Sequence, residues 1–263
     1  MKTVCIIPAR MESSRFYGKP IKKILGYPMI EHVFRRVKTA RHIDEVYMAT
    51  CNHQIREVAE AFGARVIMTS DKHTRGTDRV AEAASDIEAD IVMNVQGDEP
   101  LVDPESLDRA IEMMRNNGAT QCINLVSPIY EWDIFSDINV VKAEIDNQNR
   151  VLKFFRRLQM EPNRPDAANS EKVFKRGIKQ IGIYLFRKPL LMQFASWAET
   201  PLEKQIGVDM MRILENGFSI DTCMSKDMVS VDTPQELEKM ECLLQKDLLF
   251  QKLFKGTDRN DFI

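Results

Sequence analysis

The sequence predicts an α/β protein whose mainly parallel sheet is covered by helices on both faces. Two observations lead to this fold class: short apolar runs alternate with amphipathic segments through the first half of the chain, and the connections between them are short. The 263 residues are enough for one domain. Since no segment has the composition of a linker, we expect a single domain over residues 1–263, with a β-rich insertion at about 128–200.

The elements of the first half follow one another in strand–helix order. Apolar runs predict strands at 4–8, 45–50, 65–69, 91–95 and 122–127. Amphipathic spacing predicts helices at 29–40, 52–62, 77–88 and 104–117. Residues with capping preferences stand at several of these boundaries, with Asn52 and Pro104 at helix starts and Gly63 and Gly118 just after helix ends.

The pattern changes in the second half. Two strands, 140–146 and 151–157, are predicted to pair around a turn at 147–149, and a polar, proline-containing loop is predicted at 159–179. A strand at 181–186, a helix at 202–216 and a strand at 219–224 follow, and Pro234 opens a long C-terminal helix. The apolar side chains of that last helix fit either core packing or a subunit contact, and the sequence leaves both open: Leu237, Met240, Leu244, Leu248 and Phe254.

The composition argues against several function classes. A formal net charge of -2 gives no reason to expect a nucleic-acid partner. No apolar stretch reaches the length of about 20 residues that a membrane-spanning helix needs, and the apolar run at the N-terminus is too short for a signal peptide. The five cysteines are scattered, as expected of buried thiols in a reducing cytoplasm.

A loop rich in positive charge follows the first strand. It carries Arg10, Arg15 and Lys19, and in an open α/β sheet such a loop lies at the edge where ligands bind. Arginine can grip phosphate oxygens with two hydrogen bonds and lysine supplies a compact charge, so the loop suits a triphosphate. The alternative is a solvated loop with ordinary surface charges. The glycine spacing excludes a Walker loop and the dinucleotide fingerprint.

Two aspartates are candidates for metal binding. Asp98 follows the strand at 91–95 and therefore lies at the same edge as the first loop, whereas Asp232 directly precedes the C-terminal helix. Carboxylate oxygens at such an edge suit Mg²⁺ held jointly by protein and phosphate. An acidic turn at Asp98 and a helix cap at Asp232 are the alternatives.

A further segment, residues 74–79, joins the third strand to the next helix. Gly76 and Thr77 stand at the helix N-terminus, which can present N–H groups to an anion or to the edge of a base. Simple capping by Thr77 is the alternative.

Taken in order, these motifs resemble those of the 3-deoxy-manno-octulosonate cytidylyltransferases, also called CMP-KDO synthetases. The resemblance covers about residues 3–240, and its most specific parts are Asn-Val-Gln-Gly-Asp-Glu-Pro at 94–100 and Val-Asp-Thr-Pro at 231–234. Further shared segments are Pro-Ala-Arg at 8–10, Gly-Lys-Pro at 18–20, Gly-Thr-Asp-Arg at 76–79 and Gly-Ile-Tyr at 182–184.

The resemblance implies a fold, a reaction and a set of site residues. The fold would be of the nucleotide-diphospho-sugar transferase type, with a β-rich lobe that supports homodimers. The reaction would transfer CMP from CTP to the anomeric hydroxyl of 3-deoxy-manno-octulosonate, or of a close 3-deoxy-sugar acid, and release pyrophosphate for lipopolysaccharide or capsule synthesis in the cytoplasm.

Each matching position acquires an expected role from the resemblance. Arg10, Lys19 and Asp98 would be catalytic, and Asp98 and Asp232 would hold Mg²⁺. The nucleotide would be bound by Ala9, Arg10, Arg15, Lys19, Arg75, Gly76, Thr77 and Asp78. The sugar acid would be bound by Gln96, Arg157, Gln180, Tyr184 and Asp209.

Several positions depart from the family pattern. Tyr17 replaces the usual proline, Arg75 the usual serine and Gln180 the usual histidine, and the usual Leu-Glu-Gln-Leu-Arg is Val-Asp-Met-Met-Arg at 208–212. The last two changes lie on the sugar side. Because Asp209 is one methylene shorter than glutamate, we expect an acceptor that is a modified or extended 3-deoxy-octulosonate.

Two other functions stay open at this stage. The chain could serve another nucleotide or another acid sugar such as a nonulosonate, or it could be a catalytically silent homologue that only binds cytidine nucleotides. The presence of both Asp98 and Asp232 argues against the silent homologue, because a pure binder need not keep two metal ligands.

Overall fold

The computed structural model describes residues 1–12, 16–156 and 176–254. Its strands are β1 Thr3–Pro8, β2 Lys23–Ile24, β3 Tyr27–Pro28, β4 Glu45–Thr50, β5 Arg65–Met68, β6 Ile91–Val95, β7 Cys122–Ile129, β8 Lys142–Ile145, β9 Val151–Phe155, β10 Gly177–Arg187 and β11 Asp221–Met224. Its helices are α1 Met29–Val37, α2 His53–Ala61, α3 Gly76–Ala84, α4 Pro104–Asn116, α5 Trp132–Ser136, α6 Lys188–Ser196, α7 Pro201–Ile206, α8 Met211–Glu215, α9 Pro234–Lys246 and α10 Leu248–Phe254, with a 3₁₀ helix at Lys19–Ile21.

Nine of the described strands form one sheet. Seven of them follow the order β11-β7-β10-β6-β1-β4-β5, and the β8–β9 hairpin is attached to β10. β1 pairs in parallel with β4 and β6, β4 with β5, and β11 with β7, whereas β10 runs antiparallel to β6 and β7. The predicted, mostly parallel central sheet is confirmed, and its parallel strands bring their carboxyl ends to a common edge.

Apolar residues of the central strands face helices on both sides. On β1, Cys5 and Ile7 belong to the core beneath α1, α2 and α4, while Val4 and Ile6 belong to the core beneath α3 and α6. Successive side chains of a strand point to opposite faces, so a strand that is covered on both faces is mostly apolar along its length. All six residues of β1 are buried, as such a strand requires.

The predicted β-rich insertion is partly described. β8 and β9 pair around a turn in which Asn149 has a positive φ of 59°, as a tight turn between two strands needs. The predicted loop at 159–179 is wrong at its end, because residues 177–179 begin β10, which lies in the middle of the main sheet between β6 and β7. Most of that predicted loop, and Arg157 of the predicted strand, lie outside the described residues.

The predicted helix at 202–216 is also wrong. α7 ends at Ile206, and the next residue, Gly207, has a φ of +74°, in the left-handed region that glycine adopts without strain. A separate helix, α8, follows. The C-terminal helix is likewise divided, into α9 and α10. Met240, Leu244 and Phe254 are buried there, which confirms core packing for these positions, whereas Leu248 is 80% exposed.

Some elements were not predicted, among them α5, α6 and the 3₁₀ helix. Leu190, Leu191 and Phe194 of α6 are buried against the face of the sheet that α3 covers. Across the described ranges, no helix combines the length and the apolar character needed to cross a membrane.

Candidate active site

A cleft of about 280 Å³ opens at the carboxyl edge of β1 and β6. Its walls are the loop after β1, the segment that leads into α3, the loop after β6, and Asp232. A larger hollow of about 620 Å³ lies at the opposite edge, beside Asp90 and Arg187. Arg187 there donates to the backbone oxygens of Met114 and Asn117, so its guanidinium serves the fold. The candidate chemistry therefore lies in the smaller cleft.

Lys19 joins the two predicted metal ligands. Its Nζ lies 2.5 Å from Oδ2 of Asp98 and 3.0 Å from Oδ1 of Asp232. Burial opposes the charge of the ammonium, but the two carboxylates outweigh burial and raise the pKa of Lys19 above its ordinary value. Lys19 begins the 3₁₀ helix directly after Gly18, whose φ of 69° turns the chain into the cleft. The structure thus brings three predicted site residues into one charged cluster.

Close backbone packing positions Asp98. A Cβ added to Gly97 would lie 3.1 Å from the backbone oxygen of Pro8, so the loop after β6 approaches the end of β1 closely and a side chain there would require a small displacement. The backbone oxygen of Asp98 also accepts a hydrogen bond from the Val231 amide at 3.0 Å, which ties the segment before α9 to the same edge.

The residue that caps α9 is Thr233 and not Asp232. Thr233 caps α9: its side chain accepts from the Glu236 amide, and the Glu236 carboxylate accepts from the amides of Asp232 and Thr233. The carboxylate of Asp232 itself contacts Lys19.

Of the other predicted triphosphate ligands, Arg10 is exposed and lines the cleft. Ala9 also lines it, with its amide donating to the Ala49 oxygen at 2.9 Å. Arg15 lies outside the described residues, as does Arg157 on the sugar side.

The segment before α3 divides into residues that face the cleft and residues that brace it. Arg75 and Gly76 line the cleft, and the Arg75 Nε lies 3.5 Å from Glu199. Asp78, in contrast, has both carboxylate oxygens engaged by the buried guanidinium of Arg212, and it is not part of the lining. Thr77 accepts a hydrogen bond from the Asn94 side chain at 3.1 Å.

Most predicted sugar-side residues form two hydrogen-bonded groups on neighbouring strands, β6 and β10. Gln96 donates to Asn94 at 3.1 Å, and Asn94 is the register partner of Tyr184 on β10. Gln180 donates to the hydroxyl of Tyr184. Asp209 is hydrogen-bonded to Thr77, yet burial raises the pKa of its carboxyl above the ordinary value.

Sequence reasoning missed three residues of this region. Asn94 is fully buried and links Thr77 to Gln96 by hydrogen bonds. The sequence feature that could have identified it is a polar amide side chain within an apolar strand. Arg212 holds Asp78 and Glu203. Glu99 is 5% exposed, and burial, reinforced by Asp98, raises the pKa of its carboxyl to about 8. Its signal was its place in the motif at 94–100.

Comparison with known proteins fits this geometry. The sequence profile of the family described as "Cytidylyltransferase" matches residues 4–228. The chain belongs to the cytidylyltransferase family. It is 41% identical to the 3-deoxy-manno-octulosonate cytidylyltransferase of Geobacter metallireducens, over 91% of this chain and 96% of that one. The enzyme of the same name from Syntrophotalea carbinolica is 38% identical, over 93% and 99%.

A solved structure has the same fold as this cytidylyltransferase. A CMP:2-keto-3-deoxy-manno-octonic acid synthetase in complex with CTP superposes with a TM-score of 0.84 at 32% identity, over 94% of this chain and all of that one. The shared fold extends over nearly the whole chain.

Proposed function

We propose that this cytidylyltransferase transfers CMP from CTP to the anomeric hydroxyl of 3-deoxy-manno-octulosonate, or of a close 3-deoxy-sugar acid, and releases pyrophosphate. The observation that carries the proposal is the cluster of Asp98, Asp232 and Lys19 beside Arg10, at the sheet edge where α/β proteins bind ligands. The names of the relatives, which match nearly the full chain, support the choice of substrates.

The residues present fit a divalent cation, for which we propose Mg²⁺. Asp98 and Asp232 converge on one cationic group, the ammonium of Lys19, and the same two carboxylates would hold a bound ion. Among residues 1–12, 16–156 and 176–254 no group of three His, Cys, Asp or Glu side chains could hold a metal. Two carboxylates, with phosphate and water completing the shell, are typical of Mg²⁺.

The reaction needs no nucleophile from the protein. The anomeric oxygen would form a bond to the α-phosphorus of CTP, the bond from that phosphorus to the bridging oxygen would break, and the electron pair would leave with pyrophosphate. Arg10 and Lys19 would neutralise the charge that grows on the leaving group, as positioned cations do in phosphoryl transfer. A bound Mg²⁺ would supply charge neutralisation at the α-phosphate and favour transfer of the hydroxyl proton to water.

For the sugar acid we propose the residues around Tyr184. Gln96 borders the cleft and donates to Asn94, which donates to Thr77, the hydrogen-bond partner of Asp209. Gln180 and Tyr184 are hydrogen-bonded to each other on the neighbouring strand. Asp209 is shorter than the usual glutamate, and Gln180 replaces the usual histidine. These two changes support an acceptor that is a modified or extended 3-deoxy-octulosonate. Arg157 stays a proposed partner of the sugar carboxylate.

We also propose that the protein acts as a homodimer in the cytoplasm, within lipopolysaccharide or capsule synthesis. Exposed apolar side chains occur in and next to the β-rich part, at Tyr130, Ile138 and Leu152, and a subunit contact there would bury them. All five cysteines are free, which suits a reducing compartment. Light scattering of the wild type and of Leu152→Glu tests the dimer, because a buried charge at the contact would shift the mass toward the monomer.

The test of the reaction is pyrophosphate release from CTP with Mg²⁺, with and without 3-deoxy-manno-octulosonate. Release that requires the sugar, the nucleotide and the metal together is the expected result. A panel of four nucleoside triphosphates and several sugar acids, including a nonulosonate, distinguishes the alternative substrates. Tight CTP binding without release from any sugar acid would favour a silent nucleotide binder.

A further inference from the structure

The two proposed metal ligands are already neutralised by a cation of the chain. Lys19 Nζ lies 2.5 Å from Asp98 and 3.0 Å from Asp232, so both converging oxygens contact the same ammonium. A divalent ion between these oxygens would occupy the position of Nζ. Because two cations repel each other strongly at such short range, ion and ammonium cannot share the position.

The ammonium is held at this position by the local fold. Only 10% of the Lys19 side chain is exposed, and the two carboxylates are 26% and 29% exposed. The preceding Gly18 is fixed by a hydrogen bond from its amide to the Met11 oxygen at 2.9 Å, and the following Pro20 is buried. Partly buried charges are screened less by salt than exposed ones, so this ion pair is a stronger competitor than a surface lysine.

We propose that Lys19 is an internal counter-ion of the metal site, so that a divalent cation binds weakly to the nucleotide-free protein and well only when a triphosphate engages the ammonium. The identity of the metal ligands rests on the proposed function. Phosphate oxygens are good acceptors for the Lys19 ammonium, and contact with them would release Asp98 and Asp232 for the metal. Nucleotide and metal would then each raise the affinity for the other.

The experiment is a titration of the full-length, nucleotide-free protein with Mn²⁺, with free Mn²⁺ measured by electron paramagnetic resonance. We expect Lys19→Met to lower the Kd for Mn²⁺ by at least about tenfold, because the site is no longer occupied by the competing ammonium. The matched control is Arg10→Met, which removes a positive charge from the same cleft but leaves Lys19 in place. We expect it to change the Kd by at most about threefold, since charges outside direct contact are screened.

Two additional variants make the result specific. Adding Asp98→Asn to Lys19→Met should abolish the gain, because the gained affinity depends on that carboxylate. Lys19→Gln, which keeps a polar group at the buried position, replaces Lys19→Met if the latter does not fold, and we expect the same direction of change.

Unchanged or weaker Mn²⁺ binding in the Lys19 variants would overturn the inference, and so would an equal gain in Arg10→Met. The titration contains neither CTP nor sugar, so its failure differs from failure of the proposed function. The latter is judged by pyrophosphate release from the wild-type protein.

Discussion

Arg212 holds the carboxylate of Asp78 with two guanidinium nitrogens, at 2.8 and 3.3 Å, and reaches Glu203 at 2.6 Å with the same group. The guanidinium is 2% exposed and lies 4.1 Å from the ring centre of Phe194. It connects α8 to the first turn of α3, directly behind the cleft. The segment that borders the proposed nucleotide site is therefore supported by a buried arginine that is not itself part of the cleft lining.

Arg212→Met should destabilise the protein by about 3–5 kcal/mol, because it removes the cation that contacts Asp78 and leaves the fully buried Glu203 with only Arg75, at 3.7 Å. Urea unfolding measures the change. The control is Arg56→Met, which breaks an exposed pair with Glu60 and should cost no more than about 0.5 kcal/mol. A loss below about 1 kcal/mol in Arg212→Met would show that the cluster is not a stabilising element.

Asp98→Asn should lower turnover by at least about 100-fold, the scale expected when a main electrostatic stabiliser of a transition state is removed. Pyrophosphate release measures it. Glu144→Gln, which alters an exposed carboxylate paired with Lys153, is the control and should retain full turnover. Near-normal turnover in Asp98→Asn would contradict the role proposed for this carboxylate.

Gly182→Ala should raise the KM for the sugar acid by about tenfold or more, because small displacements of a positioning group are costly in an active site. A Cβ at this position would lie 2.9 Å from Cγ of Gln96, so Gln96 must shift. Gly118→Ala is the matched control, since no atom lies within 4 Å of its added Cβ. Steady-state kinetics with unchanged KM in both variants would argue against a sugar-binding role for Gln96.

His32 should make the protein less stable in acid. Burial lowers its pKa to about 4 from 6.5, so between these values the unfolded chain binds more protons than the folded protein. The contribution of His32 to the free energy of unfolding is fully present above the pKa of 6.5 that histidine has in the unfolded chain. The free energy of unfolding falls as the pH drops from 6.5 toward 4, by up to about 1.4 kcal/mol per pH unit. Urea unfolding at several pH values should show this slope in the wild type and a smaller one in His32→Gln. The exposed His53→Gln should leave the slope as it is.

Restoring the usual residues on the sugar side should change the preference among acceptors. We expect Asp209→Glu combined with Gln180→His to raise kcat/KM for unmodified 3-deoxy-manno-octulosonate relative to tail-modified sugars by about tenfold, the scale of one methylene in a specificity pocket. Rates with a set of sugar acids measure the ratio. A wild-type enzyme that already prefers the unmodified sugar would rule out the extended acceptor.

The sequence was most informative where apolar runs were bounded by residues with a clear conformational preference. The strands Glu45–Thr50 and Ile91–Val95 have the bounds that were predicted. α6 was not predicted, although Pro189 stands in its first turn, a position where proline commonly begins a helix. The undetected break at Gly207 had a signal, since a glycine within a helical pattern can end the helix.

The site could be predicted only as far as motifs place residues at a common edge. Asp98, Asp232 and Lys19 come together because the sheet brings strand ends and loops to one side. The pairing of Asp78 with Arg212, 134 residues away, could not be predicted, since no local rule specifies a partner at that separation. The same holds for the buried amide of Asn94.

The turn at Gly207 has a geometric effect on the charge cluster behind the cleft. Glu203 and Arg212 are nine residues apart in the sequence. In one continuous α-helix they would be separated by about 13.5 Å along the axis. Reversing the chain after Gly207 folds the two short helices against each other and lets these side chains meet. The left-handed conformation of Gly207 thus makes the Glu203–Arg212 ion pair possible. A residue with a Cβ at this position would have a strained backbone, and the effect would reach the first turn of α3 through Arg212 and Asp78.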